Sequence, residues 1–175
     1  ETEDIIREPL SEKEINDLLE DSGWNSETRP ISEFQMRNLI KTTRRDNAAI
    51  FSVPGAGKTV EALAYTNIVS GQDTLYLVVC PRNAYIAWEH EMKECLGITK
   101  DEIIRCTGND DEIKGKLLIR NKPYKAVLVN YNRLWMRYRA FSLYIQKMID
   151  KGHNVVCIFD ESHHFKGGKM FTSGV

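Results

Sequence analysis

The chain lacks most of the marks of a secreted, metal-stapled or membrane-embedded protein. Its four cysteines (Cys80, Cys95, Cys106, Cys157) lie far apart, with no C-x-x-C pair and no histidine at metal-ligand spacing, which argues against structural zinc. The longest wholly apolar run, Leu75–Cys80, is six residues, against the roughly 20 a membrane helix needs, so no membrane span is expected. No basic-then-apolar leader opens the chain, and residue 1 is Glu, which predicts a piece of a longer or processed protein. Internal repeats and low-complexity tracts are absent as well. Net charge is almost missing too, at −1.

What is there fits one globular unit. The 175 residues are 42% apolar, and a chain of this length buries roughly 70% of its unfolded surface without help from disulfides or metals. Cys80 and Cys157 fall inside apolar runs, where a reduced thiol behaves as a small hydrophobe. Buried thiols in an intracellular protein, cytoplasmic or nuclear, are the expectation. The charge is unevenly spread. Residues 1–28 hold ten acids and two bases, whereas residues 29–175 hold 22 bases and 15 acids. An acidic head therefore precedes a mildly basic body, and the body hints at a polyanionic partner.

Apolar, β-branched runs predict strands at Ala48–Val53, Thr74–Cys80, Ile103–Cys106, Ala126–Asn130 and Val155–Asp160. Most are continuous rather than alternating, as in parallel strands covered on both faces. Helical patterns lie between them at Lys58–Ser70, Asn83–Leu96, Asp110–Arg120 and Asn132–Lys151, and another, Ser32–Thr43, precedes the first strand. Alternation of this kind means an α/β fold around a mostly parallel sheet. Ser11 with Glu14 forms a capping box, and Ile15, Leu18 and Leu19 supply an apolar stripe, so the 1–28 head is an acidic helical extension ending near Ser22-Gly23.

Two stretches carry chemistry. Ser52-Val53-Pro54-Gly55-Ala56-Gly57-Lys58-Thr59 joins a predicted strand to a predicted helix, the context of a phosphate-binding loop. Glycines let successive backbone N–H groups turn toward a polyphosphate, and the helix amino end adds positive partial charge. Gly55, Ala56 and Gly57 would cradle the phosphates, Lys58 would reach the β and γ groups, and the Thr59 hydroxyl would ligate Mg²⁺. Ser52 stands where the strict pattern has glycine, a change a small residue tolerates. The second stretch, Val155–His163, is an apolar run that ends in Asp160-Glu161. Two carboxylates at a strand tip need counter-charge, which Mg²⁺ beside a phosphate loop supplies. Asp160 would bind the ion, and Glu161 would deprotonate the attacking water.

Asp160-Glu161-Ser162-His163 resembles the Asp-Glu-x-His box of superfamily-two helicases and translocases, and the detail is similar to their Swi/Snf-like branch. Leu77–Arg82 with Trp88 and Glu91 resembles that branch's Cys-Pro and Trp-x-x-Glu motif, and Asn130–Leu134 resembles its Tyr-x-x-Leu motif. Phe34-Gln35, 23 residues before Lys58, resembles the aromatic-Gln pair that recognises adenine, with Arg29-Pro30 upstream. The resemblance covers about residues 29–168. It implies a P-loop NTPase with a RecA-like three-layer sandwich, lobe one of two, with the second lobe and its arginine finger outside these residues. It also implies ATP and Mg²⁺ as cofactors, nucleic acid (DNA before RNA) as partner, and adenine contact for Gln35 ahead of Arg29. His163 would couple the nucleotide site to the bound strand, while Arg82, Asn130 and Tyr131 would touch the nucleic-acid backbone.

The residues themselves leave alternatives. Gln35 is also an ordinary polar helix position, and Arg82 a solvated arginine. Arg133, Arg137 and Arg139, interleaved with Leu134, Trp135, Tyr138 and Phe141, would form either a stacking face for nucleic acid or a helix with an aromatic core stripe. The second is the more ordinary arrangement. The expected function is the ATP-binding lobe, residues 29–175, of a helicase or translocase that hydrolyses ATP in its full-length parent. The competing functions are a nucleotide-gated nucleic-acid-binding scaffold without turnover and, more remotely, a small-molecule P-loop kinase.

Overall fold

Thr74–Val79 (β1) is apolar on both faces and buried along its whole length, which places it inside a sheet. The computed structural model, which describes residues 6–51, 55–119 and 123–161, puts it between two parallel neighbours. Among the described residues, Ile103–Arg105 (β2), Ala126–Val129 (β3) and Asn154–Phe159 (β4) join it in a four-stranded sheet of order β2-β3-β1-β4. Every pairing is parallel, with Leu77 opposite both Val127 and Cys157.

The period of two along each strand divides the core. Tyr76, Val78, Cys80, Ala126 and Leu128 face one layer of helices: Glu12–Asp21 (α1), Glu33–Thr42 (α2), Lys58–Ser70 (α3) and Tyr85–Leu96 (α4). Leu75, Leu77, Val79, Val127 and Val129 face the other, built from Asp110–Lys114 (α5), a π-helical turn Gly115–Ile119 and Tyr138–Asp150 (α7). This is the expected three-layer α/β sandwich, a RecA-like P-loop fold.

The head is helical, as its capping box predicts. Glu14 N donates to Ser11 Oγ at 3.3 Å and Ser11 N to Glu14 Oε2 at 2.8 Å. Two of its three stripe residues are buried, Ile15 and Leu19 at 0% and 2% exposure in the same cluster as Leu39 and Leu63, while Leu18 is exposed. The acids keep to the outer face, so the charge of this segment and its packing belong to opposite sides of one helix.

Three expectations need correction. The described part of the Ala48–Val53 run forms no strand, and Phe51 is 94% exposed; residues 52 and 53 lie outside the described ones. A strand exists only where a neighbour accepts its ladder bonds, and none of the described strands pairs with this run. The 132–151 helix is instead two, Tyr131–Met136 (α6) and α7, divided at Arg137. Cys157, expected in the core, is exposed. Among the described strands β4 pairs with β1 alone, and while Val155 and Ile158 join the two cores, Cys157 and Phe159 stay open.

The remaining thiols behave as expected of the core. Burial pushes Cys80, Cys95 and Cys106 up to about 12 from an ordinary value of 9.0. Burial raises the Cys157 thiol too, but that residue is open to solvent, so under native conditions a maleimide reagent should label Cys157 first, and label the other three only once denaturant is added. The same shifts set an alkaline limit. A thiol whose folded value is raised contributes its full stability below the unfolded value and loses it as pH climbs through the folded one. Through these thiols the urea midpoint should fall between about pH 9 and about pH 12.

Candidate nucleotide site and arginine cleft

Helix α3 begins without a side-chain cap. Its N-cap is Gly57, in the left-handed region at φ 74°, and Gly55 is also left-handed at φ 83°. L-residues with a Cβ adopt this conformation only under strain. The first N–H groups of an uncapped helix have no partner inside it, so the turn is ready for an anion. Gly57 is also a tight position, since a Cβ there would stand 2.8 Å from Gln35 Nε2. Lys58 is exposed and Thr59 half-buried at the head of the helix. These residues fit a polyphosphate and its Mg²⁺: a helix amino end with no side-chain cap, left-handed glycines, an exposed ammonium and a hydroxyl. Ser52, Val53 and Pro54 lie outside the described residues.

Gln35 sits against this turn. Its amide oxygen accepts from Ser32 N at 3.0 Å and Ser32 Oγ at 3.1 Å, closing the capping box of α2, and Nε2 donates to Gly57 O at 3.3 Å. Fold and sequence thus bring the Gln35 amide and the phosphate turn together across 22 residues. Arg29 is held elsewhere. Its guanidinium donates to Glu91 from Nε at 2.7 Å and from Nη2 at 3.2 Å, and that carboxylate raises its basicity further.

Asp160 and Glu161 follow β4. Helix α3 ends at Ser70, just before β1 opens at Thr74. Its amino end is therefore about 20 Å away, one helix length, level with the carboxyl ends of the strands. Asp160 is at that same edge, where its N donates to Val79 O at 2.9 Å. Its carbonyl accepts from the Tyr131 hydroxyl, and its Oδ2 accepts from Trp88 Nε1 at 3.0 Å. Burial, with Asp160's charge adding, pushes the Tyr131 hydroxyl up to about 12, so it remains a donor at neutral pH. Glu161 has φ 53°, the one left-handed non-glycine among the described residues, a strain of the kind that collects at functional positions. His163 lies outside the described residues.

A cleft of about 460 Å³ opens along the same edge. Arg82 follows β1, Asn109 follows β2, and Asn130 caps α6 after β3 by accepting from Arg133 N at 2.9 Å. Arg133 and Arg137 also line it, as does Asp111, and Arg133 Nη1 donates to Gly108 O. The sheet order thus gathers arginines from distant segments at the edge where open α/β sheets bind ligands. The ordinary expectation for this stretch, an aromatic core stripe, is met only further on. Phe141 and Tyr144 are buried, but Trp135 and Tyr138 are 49% and 56% exposed beside the arginines. Periodicity alone could not separate the two, because the break at Arg137 changes the buried face. The sequence motifs named Trp88 and Glu91 but pointed to no role for either. Their only signal was the spacing of three, which puts both on one face of α4.

A parallel three-layer sheet, a helix opening bare behind two left-handed glycines, and a carboxylate pair at the same sheet edge define a nucleotide-binding P-loop lobe. Over residues 25–173 the chain matches the family of the type III restriction enzyme res subunit. It belongs to that family, whose members are helicase superfamily-two N-terminal domains, and it is an ATP-binding, helicase-like lobe. No curated protein matches the chain. No helix among the described residues is long and apolar enough to cross a membrane.

Proposed function

We propose that this lobe binds ATP·Mg²⁺ against a second RecA-like lobe and couples ATP hydrolysis to movement along nucleic acid, with DNA as the preferred track. The observation that carries it is the shared edge: the bare amino end of α3, the Asp160-Glu161 pair and the arginine cleft all open on the carboxyl side of one sheet. Gly55, Ala56 and Gly57 orient the phosphates through backbone N–H groups, Lys58 offsets their charge, and Thr59 with Asp160 holds the ion. Bound Mg²⁺ supplies counter-charge to the phosphate oxygens. Glu161 takes the proton of the attacking water. Gln35 stands on the adenine side of the turn, and His163 links this centre to the strand. Arg82, Asn130 and Tyr131, with Arg133 and Arg137, meet backbone phosphates, and the Tyr131 hydroxyl also braces Asp160. Residues 29–175 make up the motor lobe, and the 1–28 head is an acidic helix docked on it. The Cys-Pro, Tyr-x-x-Leu and Asp-Glu-x-His residues support a Swi/Snf-like engine.

The test is ATP turnover by the full-length parent with and without DNA, over a salt series. Stimulation by DNA that fades steeply with salt is expected, since phosphate contacts dominate such binding. A rate indifferent to nucleic acid would reject the motor in favour of a nucleotide-gated scaffold.

A further inference from the structure

Helix α4 touches Asp160 and the chain segment that leads to Gln35 from one face. Trp88, 2% exposed, donates its indole N–H to Asp160 Oδ2 at 3.0 Å. One turn on, Glu91 receives Arg29 through two hydrogen bonds of 2.7 and 3.2 Å. The strand of chain before α2 is strapped along the same helix. Asn25 N donates to Cys95 O at 2.8 Å and Thr28 Oγ1 to Glu94 O at 2.6 Å, while within the segment Trp24 Nε1 donates to Arg29 O at 2.8 Å. The strap leads directly to Ser32 and Gln35, and so to Gly57. With α4 held this firmly, Trp88 is a fixed donor, not a mobile one.

We infer that Trp88 is a positioning residue for the metal carboxylate: its indole N–H locks the Asp160 side chain in the orientation that ligates Mg²⁺. This rests on the reading of Asp160 as a metal ligand. Indole N–H is a donor only, unable to ligate a metal or accept a proton, so its bond to a carboxylate can orient but not compete. An aspartate at a strand tip otherwise has rotamer freedom to lose on metal binding. Here its N, its carbonyl and one carboxylate oxygen are each tied, to Val79, Tyr131 and Trp88 respectively. Groups that orient ligating carboxylates in this way typically account for about 10–100-fold in metal affinity.

The experiment titrates Mg²⁺ into the whole chain with a fluorescent ATP analogue present, and compares this with analogue binding in EDTA. Trp88→Phe is expected to raise the half-saturating Mg²⁺ concentration about tenfold and leave metal-free binding unchanged. Because the indole is also core packing, a second protein carries benzothienylalanine at position 88, which keeps the ring volume and removes only the N–H. It should show the same Mg²⁺ shift with an unchanged melting temperature. Asp160→Asn separates the two ideas. If it leaves the Mg²⁺ requirement intact, Asp160 is not a ligand and the underlying reading fails. If Asp160→Asn raises the half-saturating Mg²⁺ concentration while the benzothienyl protein titrates like wild type, the positioning role of Trp88 is overturned. An equal loss of metal-free and Mg²⁺-dependent binding would likewise overturn it, marking Trp88 as packing alone.

Discussion

Lys58→Ala is expected to weaken ATP·Mg²⁺ binding by two orders of magnitude or more and leave the fold as it is. The side chain is exposed at the head of α3, so its loss opens no cavity. What disappears is a charge-assisted contact, of the strong class, to phosphates held in a site that the helix amino end already favours. A twofold loss of affinity by calorimetry would mean that Lys58 points away from the bound phosphates. Glu161→Gln should separate binding from chemistry. Nucleotide affinity in the full-length parent stays within a fewfold, and turnover falls by at least about 10² to 10⁴, the usual contribution of a positioned base. If the variant turned over at the parental rate, another group would have to take the proton.

The second large effect concerns the acidic head. Ile15→Ala with Leu19→Ala should strip α1 from the core. Each truncation at a fully buried aliphatic position costs about 2–5 kcal/mol, and the two share neighbours, so their sum is not strictly additive. Even the lower end is a large share of the roughly 5–15 kcal/mol that holds a domain folded. A drop in melting temperature of at least about 10 °C is the expected reading by circular dichroism. Leu18→Ala is the matched control, because Leu18 is 38% exposed on the same helix and should move the melt far less. Equal melts for the double variant and wild type would show that α1 is dispensable to the core. The point matters because α1 lies wholly before residue 25, where the family match begins, while Ile15 and Leu19 pack with Leu39 and Leu63 inside the lobe.

Local rules were enough for much of this. The start of α1 was readable from Ser11 and Glu14, because a capping box satisfies its own orphan donors within four residues. The carboxyl end of α3 was equally plain, since Gly71 lies just past Ser70 and takes a positive φ at no cost. Strands β1 and β3 could be placed from unbroken apolar runs, which fit only a sheet covered on both sides. Likewise, Gly55, Gly57, Lys58 and Asp160-Glu161 could be named because their chemistry is written in adjacent residues.

The rest depends on which strands are neighbours. Cys157 and the Ala48–Phe51 run have the composition of core, but composition does not say that β4 pairs on one side only among the described strands. The same ignorance hid the cleft, where Arg82, Asn109 and Arg133 meet only because β1, β3 and β2 lie side by side. It also hid the contact of Trp88 with Asp160, 72 residues apart. Sequence by itself determined the phosphate turn, the carboxylate pair and the layered α/β class, since short-range periodicity and backbone sterics decide them. Tertiary structure alone decided what leans on the carboxylate, where the arginines converge and that the acidic helix is core, because those depend on sheet order and on packing between distant segments.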